Sequence, residues 1–193
     1  MCPEIYQLNA SAQPPLLEMP LSPHAPQMQW YAVQTRSNFE NRIAHDLRGK
    51  GIEAYLPALT EERQWKDRKK TVEMPLFRGY LFVRLTDSLE ARWKVLTSSG
   101  VVRIVGRGRE AEPVPDPEIE SIQRLIQTGA PLAPHVYLRE GLKVRVRSGA
   151  LAGVEGMFLR TRTAARLVIS IELLSQSLVT EIDADNVEPV DGH

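Results

Sequence analysis

Pro75-Leu76-Phe77-Arg78-Gly79-Tyr80-Leu81-Phe82-Val83-Arg84-Leu85 holds a glycine turn followed by a strand that is apolar on nearly every position. Side chains alternate across a strand, so Tyr80, Phe82 and Arg84 point one way and Leu81, Val83 and Leu85 the other. The aliphatic face reads as core. The opposite face is aromatic, and alternation alone leaves open whether it is core or surface.

The elements on either side set the fold class. Upstream, Trp30-Tyr31-Ala32-Val33-Gln34-Thr35 is an aromatic and β-branched run that opens the ordered chain as a strand. Ser37 stands three residues before Glu40, the spacing of a capping box, and Phe39, Ile43, Ala44 and Leu47 follow at helical spacing until Gly49 and Gly51. Glu53 to Leu56 is extended and ends at Pro57. Residues 60–73 are polar and highly charged and predict a β-hairpin with its tip near Lys69 and Lys70. Downstream, Leu89, Trp93 and Leu96 predict a short amphipathic helix, and Val101 to Val105 a strand closed by the Gly106–Gly108 turn. Asp116 reads as an N-cap with Pro117 at the first helical position. Ile119, Ile122, Leu125 and Ile126 then supply an apolar face that stops at Gly129. Strands interleaved with helices in this order predict a compact α/β sandwich related to the ferredoxin-like pattern over residues 29–129.

Residues 130–137 (APLAPHVY) read as a Pro-containing linker, after which the texture changes. Leu142, Val144 and Val146 alternate with Lys143, Arg145 and Arg147, and Gly149, Gly153 and Gly156 punctuate the loop that follows. Further strands are expected at 157–161, 167–174 and 178–182, with 186–190 closing. Five short strands joined by glycine turns over 138–193 predict a small β-barrel, because a lone sheet of that size cannot bury enough surface. The overall class is α+β. Residues 1–28 hold six prolines and no Lys or Arg, and are expected to be a disordered tail rather than a secretory signal.

Composition excludes several functions. The four histidines (His24, His45, His135, His193) lack metal-ligand spacing. Gly106-Arg107-Gly108 is only a turn, and no nucleophile elbow occurs, so neither catalysis nor a cofactor is expected. The single cysteine, Cys2, allows no internal disulfide. With no apolar run long enough for a bilayer, a cytoplasmic monomer is expected. Charge is uneven: residues 30–110 carry 16 Lys and Arg against 10 Asp and Glu, whereas residues 111–193 carry 8 against 12. The first half is therefore the better neighbour for a polyanion, and an acidic second half disfavours the alternative of an RNA-binding or ribosome-associated protein.

Three stretches, in order and spacing, resemble the NusG transcription factors and their specialised RfaH-like antitermination relatives. They are Trp30-Tyr31-Ala32-Val33-Gln34, the Pro75–Leu85 segment, and the loop from Gly149 to Gly156, which looks like a KOW motif. The resemblance covers residues 29–190 and implies an N-terminal domain that binds the clamp helices of RNA polymerase and suppresses pausing. It also implies a C-terminal KOW barrel, SH3-like in shape, that recruits the termination factor Rho or a small-subunit ribosomal protein. By position in the motif, Trp30, Tyr31, Phe77, Tyr80 and Phe82 would make an exposed polymerase-binding patch. Where relatives usually have proline before the Gly-Tyr pair, this chain has Arg78. The slot that in specialised relatives makes a second polymerase contact holds Ala91-Arg92-Trp93-Lys94, which nominates Arg92 and Lys94. Arg36, Arg42, Lys69 and Lys70 would face the non-template DNA strand, and Leu151, Val154, Leu173 and Leu174 would form the barrel's partner edge. Some relatives refold the barrel into helices. Here Val144, Val146, Val168, Ile169 and Ile171 favour strands, and a stable barrel is expected.

Overall fold

A computed structural model describes residues 27–65, 68–108, 110–136, 141–161 and 164–190. The expected tail therefore lies outside the described residues, apart from its last two. The N-terminal half is built on an antiparallel sheet of β1 (Met28–Thr35), β2 (Glu53–Tyr55), β5 (Tyr80–Thr86), β6 (Val101–Ile104) and β7 (Pro113–Val114). Its order is β2-β5-β1-β6, with β7 also pairing with β1. The two stretches that decide the fold are direct partners: Trp30 faces Arg84, Ala32 faces Phe82 and Val33 faces Leu81.

The period-two alternation sorts side chains to two cores. On one face Tyr31, Val33, Leu81, Val83 and Leu85 meet Ile43, Ala44 and Leu47 of α1 (Glu40–Gly49) and Val95 of α2 (Leu89–Leu96). On the other face Trp30, Ala32 and Phe82 meet Leu76, Phe77, Val114 and the Ile119, Ile122 and Leu125 stripe of α3 (Asp116–Gln127). All three residues of that stripe are fully buried, as their spacing requires, and Gly129 ends the helix with φ 66°.

Local chemistry departs from expectation at four points. The Ser37–Glu40 spacing does not form a capping box: Asn38 takes φ 66° and Phe39 is the N-cap residue of α1, without a side-chain cap bond. Glu40 is instead buried and accepts the Gly79 backbone N–H at 2.7 Å. This bond ties α1 to the turn that launches β5. Replacing Glu40 with Ala leaves that N–H without its acceptor and is expected to lower unfolding free energy by about 1–3 kcal/mol, with Glu40→Gln recovering part of the loss in urea titration. The charged hairpin pairs β3 (Ala58–Trp65) with β4 (Arg68–Pro75), and Lys69 and Lys70 stand opposite Gln64 and Arg63 within the ladder rather than at its tip. α3 starts one residue earlier than expected, with Pro115 as its N-cap residue.

The fourth departure lies in the expected linker. Ala133–Val136 forms a strand, β8, that pairs with β12 (Gln176–Glu181). Pro134 is tolerated because β8 sits at a sheet edge. With β9 (Leu142–Val146), β10 (Glu155–Arg160), β11 (Ala165–Ile171) and β13 (Val187–Pro189) it completes a six-stranded sheet of order β13-β9-β10-β11-β12-β8. The five anticipated strands are present, although a 3-10 turn at Glu172–Leu174 cuts the third short. Val144, Val146, Val168, Ile169 and Ile171 are buried in strands. Leu142, expected on the same inward face as Val144, is exposed. Among the described residues no helix is long and apolar enough to cross a membrane.

Candidate functional site

The aromatic face of the sheet is a packed ring cluster. Phe77 meets Phe82 edge-on at 5.9 Å between centroids, Tyr55 lies 6.5 Å from Phe82, and Trp30 meets Tyr55 edge-on at 6.2 Å. The Arg84 guanidinium sits 5.8 Å from the Trp30 ring centre. Burial of the Tyr55 hydroxyl, which has no hydrogen-bond partner among the described residues, pushes its pKa up.

The expected water-facing patch is corrected here. Trp30, Tyr31, Phe77 and Phe82 are at most 5% exposed, and only Tyr80 of the five nominated residues is half-buried at the surface. Tyr31 is on the opposite face of β1 from Trp30 and belongs to the α1 core. The rings share one buried cluster with the apolar stripe of α3 and with barrel residues such as Val144 and Ile169.

The large exposed apolar surface of this half lies on α2. Leu89 is 86% exposed, Trp93 69% and Leu96 46%. Their spacing predicts a stripe, and the stripe exists, but it faces away from the sheet. Ser88 accepts the Ala91 N–H at 3.2 Å and so caps the helix, while Arg92 pairs with Asp87. Together they fix the rotation that turns Ala91, Arg92 and Val95 inward. Both members of the nominated second contact are thus already engaged, Arg92 with Asp87 and Lys94 with Glu90 at 2.9 Å. Trp93, between them, is the free apolar surface. Hydrophobic spacing found these positions as one face of an amphipathic helix without saying which way that face points.

Of the basic residues, Arg36 and Arg42 are exposed, with Arg42 6.0 Å from the Phe39 ring centre. Lys69 is exposed on β4, and the side chain of Lys70 lies outside the described residues. The structure therefore does not draw these four into one described cluster.

In the barrel, Val154 is buried, whereas Leu151, Leu173 and Leu174 are half-buried against the core that continues from α3. The glycine loop between β9 and β10 reaches α3 directly: Arg124 Nη1 donates to the Ala152 carbonyl at 3.1 Å. On the barrel's outer face Lys143 and Arg145 both engage Glu155, and Arg147 approaches Glu188. These pairs hold the Glu155 carboxyl below the usual carboxylate range, the bond from Arg145 having the largest effect.

With this geometry in place, similarity to known proteins becomes informative. Residues 28–123 match the family described as "Transcription termination factor nusG". The "Transcription termination/antitermination protein NusG" of Yersinia pestis is 30% identical, over 85% of this chain and 97% of its own length. The protein of the same description from Borreliella burgdorferi is 25% identical, over 83% of this chain and 98% of its own. A solved structure described as "Domain interaction in Thermotoga maritima NusG" superimposes with a TM-score of 0.51 at 22% identity, covering 86% of this chain and 98% of that one. A match that runs through both halves, over nearly the whole length of these relatives, places the chain in the NusG family of transcription termination and antitermination factors.

Proposed function

We propose that this chain rides on transcribing RNA polymerase, docking through its N-terminal half and recruiting a second protein through its barrel. The observation that carries the docking is the exposed Leu89–Trp93–Leu96 stripe on α2. A tryptophan flanked by two leucines and rimmed by the Glu90–Lys94 ion pair has the make-up of an interface hot spot: an aromatic anchor inside a polar border. Tyr80, at the end of the ring cluster, makes the other contact, with the buried Trp30, Phe77 and Phe82 beneath it as support.

The coiled-coil clamp helices of the large subunit are the partner for Tyr80 and its neighbours Tyr55 and Leu59, and a loop of the other large subunit is the partner for α2. Arg36, Arg42, Lys69 and Lys70 add salt-sensitive contacts to the non-template strand. The barrel edge of Leu151, Leu173 and Leu174, with Val154 buried beneath it, takes Rho or a small-subunit ribosomal protein. An RNA-binding role for the barrel is disfavoured, because its row of basic side chains is matched by Glu155 and Glu188.

The test is a Leu89→Ala/Trp93→Ala variant, whose substitutions are on exposed positions and leave the fold intact. Truncating hot-spot residues typically removes 2 kcal/mol or more, so affinity for a purified elongation complex is expected to fall at least about thirtyfold. A folded double variant that binds as tightly as the parent would refute the docking surface.

A further inference from the structure

The two halves meet along α3, and the polar part of that seam holds an electrostatic conflict. A cavity of about 980 Å3 opens there, lined by Arg107, Glu112 and Glu118 from the N-terminal half and by Lys143, Glu155 and Glu172 from the barrel. Its two cations are already committed, Arg107 to Glu112 at 3.1 Å and Lys143 to Glu155 at 3.1 Å. Elsewhere around the seam Asp116 reaches Arg84 at 3.9 Å, Arg145 engages Glu155, and Arg124 donates across the junction to the Ala152 carbonyl. Glu120 points to solvent.

Glu118 is left without a counter-charge among these groups. The backbone N–H of Glu172 favours its ionised form, but the carboxylate also faces the Glu172 side chain, and its Oε2 is shielded from solvent with no hydrogen-bond partner among the described residues. A buried carboxylate oxygen opposite a second carboxylate is tolerable when one of the pair carries a proton and costly when both are ionised.

We propose that the contact between α3 and the barrel is a proton-sensitive closure, in which Glu118 holds the halves together when neutral and drives them apart when ionised. Burial is the main cause that raises the Glu118 pKa, to about 7, with the Glu172 charge adding to it. Once the halves separate, Glu118 becomes an ordinary exposed helix residue near the usual glutamate value of 4.5. The closed form therefore binds the extra proton. Its advantage is complete below the lower value and disappears as pH rises through the upper one. Between pH 8 and pH 6 the closed-to-open ratio rises by up to about tenfold, less where water screens the half-buried group. Closure covers the edge holding Leu151, Leu173 and Leu174, so acidification withholds that surface; this consequence alone rests on the reading of the edge as a partner site.

The full chain, with Cys2→Ser and labels at Ser37→Cys and Arg160→Cys, reports the separation of the halves by electron-spin distance measurement. The short-distance population is expected to grow as pH falls from 8.5 to 5.5. Glu118→Gln, which keeps an acceptor for the Glu172 N–H but cannot ionise, is expected to stay closed throughout. Glu172→Gln is expected to shift the midpoint down, and Glu120→Gln, a solvent-facing control, to change nothing. A distance distribution that ignores pH, or one whose pH response survives Glu118→Gln, overturns the proposal. Neither measurement involves polymerase, so the outcome is independent of the docking assignment.

Discussion

Phe82→Ala is expected to destabilise the chain by about 3–5 kcal/mol, the usual cost of removing a fully buried phenyl ring. Phe82 has no exposed surface, and its partners come from three separate stretches: Phe77 from the preceding turn, Tyr55 from β2 and the apolar stripe of α3. Such a junction cannot collapse to fill the space, so the cavity persists and the loss should fall in the upper part of the range. For a domain of this size that is a large share of total stability. The check is an equilibrium urea titration, in which the midpoint drops while the slope of the transition is preserved. An unfolding free energy within about 1 kcal/mol of the parent would mean that the ring is not the keystone described. Any loss of polymerase binding by this variant would follow from the fold rather than from a lost contact, so Leu89 and Trp93 are the cleaner probes of docking.

The second large effect is expected at Gly156. An added Cβ there would lie 2.6 Å from the Val168 carbonyl oxygen and 3.1 Å from a Leu167 methyl carbon, in the ladder between β10 and β11. Backbone in the middle of a sheet cannot step aside as a flexible side chain can. Gly156→Ala should therefore cost about 3 kcal/mol, the upper end of the range for overpacked sites. Gly149, whose added Cβ meets nothing within 4 Å, is a useful contrast: there the penalty comes from its φ of 84° alone. Thermal unfolding of the two alanine variants side by side separates collision from conformational strain. Equal losses would show that the approach of the strands at Gly156 is looser than described.

The strands and α3 were legible because each uses a strict period. Val33, Leu81 and Val83 against Ala32 and Phe82 can be sorted by alternation alone, and Ile119, Ile122 and Leu125 by helical spacing. What sequence could not settle was which surface ends up covered. Aromatic residues on one face of a strand look the same whether a helix or a partner protein packs against them, and packing with α3 and the barrel, far along the chain, decides the matter for Trp30 and Phe82. α2 is ambiguous for a different reason. Its eight residues hold two competing stripes, Leu89–Trp93–Leu96 and Ala91–Val95, and spacing marks out the larger without saying which one is buried. The cap at Ser88 and the Asp87–Arg92 pair select the smaller one, and neither carries weight in a hydrophobic count. Pro131 and Pro134 concealed β8, since proline marks both a connector and the rim of a sheet. Of the four residues named for the barrel's partner edge, Val154 is buried and the other three half-buried, and the contact of that loop with α3 depends on long-range packing that no local pattern records.

β8 also sets how far apart the halves can travel. From Gly129, at the end of α3, to Ala133 there are only four Cα steps, about 14 Å at full stretch, and Thr180 further pins the Pro131 carbonyl at 3.1 Å. Releasing β8 from β12 would extend the leash to Leu142, about 45 Å. Small excursions are thus free of any unzipping, whereas a wide swing requires a row of backbone bonds to part first. A leash with two lengths keeps the local concentration of each half around the other high until that row gives way, and then lets it fall sharply.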